Sequence, residues 1–325
     1  MNEGPAQDPS WLETLASLAL NRYPRGNELE SALARTLGCE PENLLITAGG
    51  DEAIDRCCRA YLGPDRAAVV ATPTFEMIPR YARLAGAGAI EIPWADNDAY
   101  PALATIDAAR TSNARLIALV TPNNPTGRAI DRAAIERVVD ATDTPVMLDL
   151  AYEEFGDDRL TDLALTSDRV VAIRTFSKAW GLAGLRVGYA VGTAESIAEL
   201  RAAGGPFSVS AASRAIVETA LRTGRDRLQQ TIAAVLRSRA ALHELMDSFG
   251  IRRTDSRANF VFFRHASAEA VWRALLERGI LIRRWNEHPV LNDALRITCP
   301  ADDTQTSELM RALSETLEEN PDEPR

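Results

Sequence analysis

Lys178 is the only lysine in the chain; the remaining 35 of its 36 basic residues are arginine. Arginine stays protonated in proteins, whereas a lysine amine can give up its proton and attack a carbonyl. Drift of the composition toward arginine would also leave a lone survivor, so the surroundings decide what this lysine is for. It lies in Arg174-Thr175-Phe176-Ser177-Lys178-Ala179-Trp180-Gly181-Leu182-Ala183-Gly184-Leu185-Arg186, directly after the apolar run 170–173. A lysine just past the end of a buried strand, among hydroxyls, small residues and an arginine, is suited to a Schiff base beside a phosphate.

Three more motifs with chemical content precede it, each at the end of a predicted strand. After 44–46 comes Thr47-Ala48-Gly49-Gly50-Asp51-Glu52. Glycines there let backbone N–H groups approach a phosphate that the following helix dipole also attracts, although Asp51 would serve equally well as a helix cap. After 116–120 comes Thr121-Pro122-Asn123-Asn124-Pro125-Thr126-Gly127, a rigid turn presenting an amide. After 146–148 comes Asp149-Leu150-Ala151-Tyr152, a carboxylate able to pair with a protonated ring nitrogen, three residues before a phenol. Each motif alone reads as turn or cap chemistry. Their order upstream of Lys178 argues for one site.

The elements that must position these residues follow from hydrophobic periodicity. Short apolar runs at 44–46, 67–71, 89–92, 116–120, 146–150, 170–173 and 187–191 alternate with helical spacing at 51–61, 75–85, 133–141 and 195–203. This alternation predicts an α/β fold with a mainly parallel sheet between helices. Gly204-Gly205-Pro206 breaks the pattern before a long helical stretch over 211–249, within which the domain changes. Strands at 259–263, 280–283 and 295–298 with helices at 268–277 and 304–317 then predict a smaller α+β unit. The expected division is an N-terminal arm (1–25), a large domain (26–235) and a small C-terminal domain (236–325).

Composition narrows the partners. A net charge of -10 disfavours nucleic acid, and no apolar stretch reaches the roughly 20 residues that span a bilayer. The N-terminus carries no basic flank or apolar signal region, so a cytosolic location is expected. Cys57 and Cys58 are adjacent and Cys39 and Cys299 isolated, which predicts free thiols rather than a disulfide framework. His243, His265 and His288 show no metal-ligand spacing. Gly86-Ala87-Gly88-Ala89-Ile90-Glu91 lacks the third glycine of a dinucleotide turn and precedes a strand, so a nucleotide-binding reading fails.

With these motifs in view, the chain resembles the fold-type I pyridoxal-phosphate aminotransferases, and among them the histidinol-phosphate aminotransferase group. The likeness runs through Asn21-Arg22-Tyr23-Pro24, the Gly-Gly-Asp-Glu loop, Thr72-Pro73-Thr74-Phe75, Asn123 to Gly127, Asp149 to Tyr152, Ser177-Lys178 through Arg186, Asn259-Phe260 and Leu295-Arg296-Ile297-Thr298. It implies pyridoxal 5'-phosphate as cofactor, bound covalently by Lys178, with Asp149 on the ring nitrogen and Asn124 and Tyr152 on the phenolic oxygen. Phe75 would stack on the ring. Gly50, Asp51, Thr175, Ser177 and Arg186 would hold the phosphate, joined by Tyr23 from the neighbouring subunit of a homodimer with shared active sites. Arg283 and Arg296 would bind the anionic groups of a small amine and a 2-oxo acid. Phe75 stands where a Tyr is common, which keeps the stacking without a hydroxyl, and Gly50 where a Ser is common, which removes one phosphate donor. The departures that bear on the substrate are Ala6-Gln7 after Asn2-Glu3-Gly4-Pro5, where an aromatic and a glycine are usual, and Cys299-Pro300, where a small, glycine-containing turn is. A threonine-phosphate decarboxylase and an aromatic amino acid aminotransferase therefore stay open as alternatives to histidinol phosphate with 2-oxoglutarate.

Overall fold

The computed structural model describes residues 4, 9–19, 21–24 and 27–322. Of the N-terminal motif, Gly4 is described; Asn2, Glu3, Pro5, Ala6 and Gln7 lie outside the described residues. Seven strands form the large sheet: β1 (Leu44–Thr47), β2 (Ala67–Thr72), β3 (Gly88–Pro93), β4 (Ala114–Val120), β5 (Val146–Asp149), β6 (Val170–Thr175) and β7 (Gly188–Val191). Their spatial order is β1-β7-β6-β5-β4-β2-β3. β1, β5, β6 and β7 are buried along their whole length, which is why they read as continuous apolar runs. Side chains alternate between two cores: Leu44, Ile46, Ile117 and Leu119 enter one, and Leu45, Leu116, Ala118 and Met147 the other.

Strand direction is what periodicity could not give. β2 to β6 run parallel, while β7 is antiparallel to both of its neighbours, β1 and β6. The reversed strand begins at the edge where the others end. Arg186, just before it, therefore reaches the same edge as Gly49, Asn124, Asp149 and Lys178, the edge where ligands bind in open α/β sheets.

The long helical stretch is two helices, Ala211–Thr223 and Arg225–Ser248, divided at Gly224. A Cβ there would lie 2.7 Å from the Ala220 carbonyl oxygen and 3.0 Å from the Trp11 ring, so glycine is what lets the chain turn. Ile216, Val217 and Ala220 of the first helix join the large-sheet core; Val235, Leu242 and Met246 of the second join a separate C-terminal core. Helices Glu28–Leu37 and Ala102–Thr111, unread in the sequence, complete the cover of the large sheet.

The C-terminal sheet has the order β8-β10-β9, all antiparallel, with β8 (Phe260–Arg264), β9 (Arg283–Arg284) and β10 (Ala294–Thr298). The strand predicted over 280–283 is shorter and later. The chain is still closing the preceding helix there: Gly279 is left-handed and Ile280 N–H donates back to the Leu275 carbonyl at 2.8 Å. The C-terminal core also takes in Tyr152, Phe155 and Ala179 from beside the Lys178 strand. Among the described residues no helix is long and apolar enough to cross a membrane.

One close approach fixes the sheet edge. A Cβ on Gly188 would lie 2.6 Å from the Gly49 carbonyl carbon and 2.7 Å from the Gly50 nitrogen, both backbone atoms that cannot swing away. Gly188→Ala is accordingly expected to lower stability by about 1–3 kcal/mol, the usual cost of overpacking. Thermal unfolding reads this; an unchanged midpoint would show that the turn yields freely.

Candidate active site

The reversed β7 builds one end of the site. Thr47, Gly188 and Thr175 lie opposite one another across β1, β7 and β6, and the helix Gly49–Tyr61 starts directly over Gly188. No side chain caps that helix. Asp51, a capping candidate by sequence, instead accepts a hydrogen bond from Arg186 Nη2 at 3.1 Å, while Glu52 takes the Ala48 N–H. Arg186 holds a left-handed backbone (φ 52°), and its guanidinium lies against Gly49, whose own left-handed φ of 80° favours glycine. Thr175 Oγ1 donates to Ser177 Oγ at 3.0 Å and accepts the Ser177 N–H at 3.1 Å. Uncapped helix N–H groups, two hydroxyls and a guanidinium thus gather at one sheet edge, a donor set suited to a phosphate monoester.

The other end is a cleft of about 730 Å3 lined by Phe75, Asn124, Tyr152, Lys178, Arg283 and Arg296. Lys178 Nζ stands 5.6 Å from the centre of the Tyr152 ring, which is itself held edge-on against Phe260 at 5.3 Å. Behind them Asp149 is buried and accepts the Ala151 N–H at 3.0 Å. Burial pushes its carboxyl up to about 6; Asp51 adds to this, and the Ala151 N–H and Lys178 oppose it. In the asparagine turn, Asn123 does the structural work. It accepts from Thr74 Oγ1 at 2.9 Å and donates to the Pro73 carbonyl at 3.0 Å and Thr126 Oγ1 at 2.9 Å. Asn124 is left to face the cleft.

Arg296, on β10, donates from Nη1 to Asn124 Oδ1 at 2.5 Å and lies 4.8 Å over the Phe260 ring. Its Nε is buried without a partner, and burial lowers its pKa from the usual arginine value. Arg283, on β9, is half exposed and 3.9 Å from Glu76. Beneath the cleft, Arg174 ties the turn after Tyr152 to the strand leading to Lys178: it pairs with Glu153 and, at 2.6 Å, with Glu154, and donates to Thr161 Oγ1 at 2.7 Å. A larger groove, about 1260 Å3, runs beside Arg264, Glu269 and Asp293, whose charges are paired within the chain; it lacks the lysine and the phenol.

Residues 6–313 match the aminotransferase class I and II family. The chain belongs to the class I and II aminotransferases. It is 38% identical over 309 residues to the histidinol-phosphate aminotransferase of Xanthomonas campestris, covering 91% of this chain and 85% of that one. It is 33% identical over 307 residues to the histidinol-phosphate aminotransferase of Chlorobaculum tepidum, covering 91% and 87%. The solved histidinol-phosphate aminotransferase of Sinorhizobium meliloti, in complex with pyridoxal-5'-phosphate, superposes with a TM-score of 0.87 at 26% identity, covering 98% of this chain and 89% of that one.

In this aminotransferase chain one sequence-predicted residue stands apart. Tyr23 is 71% exposed and stacks at 4.7 Å on Phe207, itself exposed, away from the cleft lining. The cleft also contains residues that sequence reading missed: Glu76, Trp272, Arg284, Trp285, Asn286 and Thr298. Trp285 and Thr298 carried a usable signal, since strand alternation puts them on the same side as Arg283 and Arg296, each two residues earlier. A second cleft of about 440 Å3 borders Lys178 from the N-terminal side and includes Gly4. A Cβ on Gly4 would lie 2.6 Å from the Lys178 carbonyl oxygen and 2.7 Å from Gly181 Cα, so Gly4 meets the lysine loop at a point that admits only glycine.

Proposed function

We propose that this aminotransferase uses pyridoxal 5'-phosphate to move an amino group between histidinol phosphate and a 2-oxo acid such as 2-oxoglutarate, as a cytosolic homodimer. The observation that carries the reading is the meeting of Lys178, Asn124, Tyr152 and Arg296 in one cleft beside an edge of phosphate donors. The residues fit the cofactor: Gly49 and Gly188 leave a cradle that a Cβ would fill, and Asp149 is a buried acid in want of a cation. The substrate is taken from the histidinol-phosphate aminotransferases that the chain matches over most of its length.

When bound, the cofactor supplies an electron-withdrawing ring that stabilises negative charge on the substrate carbon. Everything else falls to the chain. Lys178 Nζ would hold the cofactor covalently between turnovers and, once displaced by the substrate amine, would carry the proton between the substrate carbon and the cofactor carbon that had borne the lysine. Asp149 keeps a positive charge on the ring nitrogen, Asn124 and Tyr152 hold the ring oxygen, and Phe75 covers the ring face. The backbone at Gly50 and Asp51, with Thr175, Ser177 and Arg186, holds the phosphate. Arg296, whose Nε is buried and unpartnered, would take an anionic group of the substrate. Tyr23 and Phe207, an exposed aromatic pair, are assigned to the subunit interface, which lets Tyr23 reach the partner's phosphate site. On this reading 1–25 act as the arm, 26–235 as the cofactor-binding body and 236–325 as the substrate-side unit, with the helix Arg225–Ser248, whose Val235 already packs in the C-terminal core, spanning the boundary.

Spectroscopy tests the proposal. Purified protein given the cofactor should show bands above 400 nm or near 330–340 nm, at about the positions expected of a lysine-bound cofactor. Histidinol phosphate should convert this spectrum faster than aromatic amino acids or threonine phosphate. A chain that stays colourless refutes the cofactor assignment; reaction with threonine phosphate alone, releasing carbon dioxide, refutes the aminotransfer reading.

A further inference from the structure

Arg283 and Arg296 are directly opposite residues of the antiparallel strands β9 and β10. Their side chains share a face, and like charges in that relation repel. Among the described residues no carboxylate pairs with Arg296, and Arg283 has only the exposed Glu76 at 3.9 Å. What lies against both guanidiniums is the ring of Trp285: Arg283 Cζ is 5.4 Å and Arg296 Cζ 5.9 Å from it. The indole is itself anchored, tilted on Phe262 at 6.2 Å and packed with Leu291 and Ala294. An aromatic face attracts cations without consuming their N–H donors. It therefore offsets the repulsion without occupying the Arg283 fork or the Arg296 N–H groups other than the Nη1 held by Asn124.

We infer that Trp285 is a specificity-determining residue: it holds Arg283 and Arg296 together as a double cationic seat for a substrate group bearing two negative charges, a phosphate monoester or a pair of carboxylates. A single carboxylate neutralises one guanidinium and leaves the other facing a like charge. A dianionic ligand neutralises both and relieves the cross-strand repulsion. Discrimination between the two ligand types thus depends on the indole keeping the arginines paired. The inference rests on the proposed placement of substrate in this cleft, but not on the identity of the amine.

Calorimetric titration of the cofactor-loaded protein tests it, loading being needed so that the cofactor's own phosphate site is filled. The probes are inorganic phosphate and succinate as dianions and acetate as the singly charged control. Trp285→Leu, which keeps an apolar wall but no ring, should weaken both dianions at least about tenfold and acetate less than about twofold, while Trp285→Phe should recover most of the loss because its ring still faces the arginines. Equal losses for all three anions, or equal behaviour of the Leu and Phe variants, would overturn the inference and leave Trp285 as packing. If dianion binding depends on the ring while histidinol phosphate is not turned over, the substrate proposal fails and this one stands.

Discussion

Lys178→Ala is expected to lower amino transfer by at least about 10^2–10^4-fold, the usual worth of one positioned proton carrier, with the loss of covalent cofactor holding added to it. Lys178→Arg should fare no better, since a guanidinium does not lose its proton. Small amines added to the alanine variant should restore part of the rate, which separates a missing amine from a misfolded site. The companion experiment is borohydride reduction of the loaded protein. Because no second lysine exists, the cofactor should end on a single peptide, the one containing Lys178. A label found at the N-terminal amine, or none, would show the assignment to be wrong.

The second large effect is one of opposite signs. Asp149 titrates at 3.8 in an open chain and at about 6 when buried here, a difference worth about 3 kcal/mol. The folded value is the higher, so the protonated acid suits the fold and the carboxylate does not. Below about pH 4 both states are protonated and the group costs nothing. The cost grows between pH 4 and 6 and is complete above 6, where stability has been lost. Asp149→Asn should therefore raise the melting temperature of cofactor-free protein at pH 8 by roughly 5 °C, with no gain at pH 4, while abolishing most of the activity. The Ala151 N–H keeps an acceptor in the amide oxygen. Equal gains at both pH values would mean that packing, not charge, is responsible. The acid is costly to the empty fold because it is placed to face a cation, the stability–function exchange common at active sites.

Much of this was legible because the chemistry sits at strand ends. Apolar runs marked β1 to β7 to within a few residues, and the polar residues that follow β1, β4, β5 and β6 fell on the ligand edge by topology alone. The helix Ala102–Thr111 escaped because its small residues give a weak apolar face, and Gly224 escaped as a break because one of the two contacts that crowd it, the Trp11 ring, is more than 200 residues away. In the site, Lys178, Asn124 and Tyr152 could be named in advance from residue type and place, whereas Arg283 and Arg296, two among 35 arginines, were named from the family resemblance. Glu76, Trp272 and Asn286 could not, since their place in the cleft arises only when the β9 segment folds over the turn after β2. Asp51 shows the reverse: local pattern offered it as a cap as readily as part of a phosphate site, and a distant Arg186 claims its carboxylate instead.

The solitary lysine also gives the chain a single vulnerable bond. A protease that cuts only after lysine can act nowhere but between Lys178 and Ala179, and there Ala179 is 1% exposed, with Leu182 N–H bonded to the Phe176 carbonyl across the same loop. Cleavage must wait for this loop to open. Where reclosing is faster than cutting, the cleavage rate follows the population of the opened loop, so digestion measures the local stability of one loop against that of the whole fold.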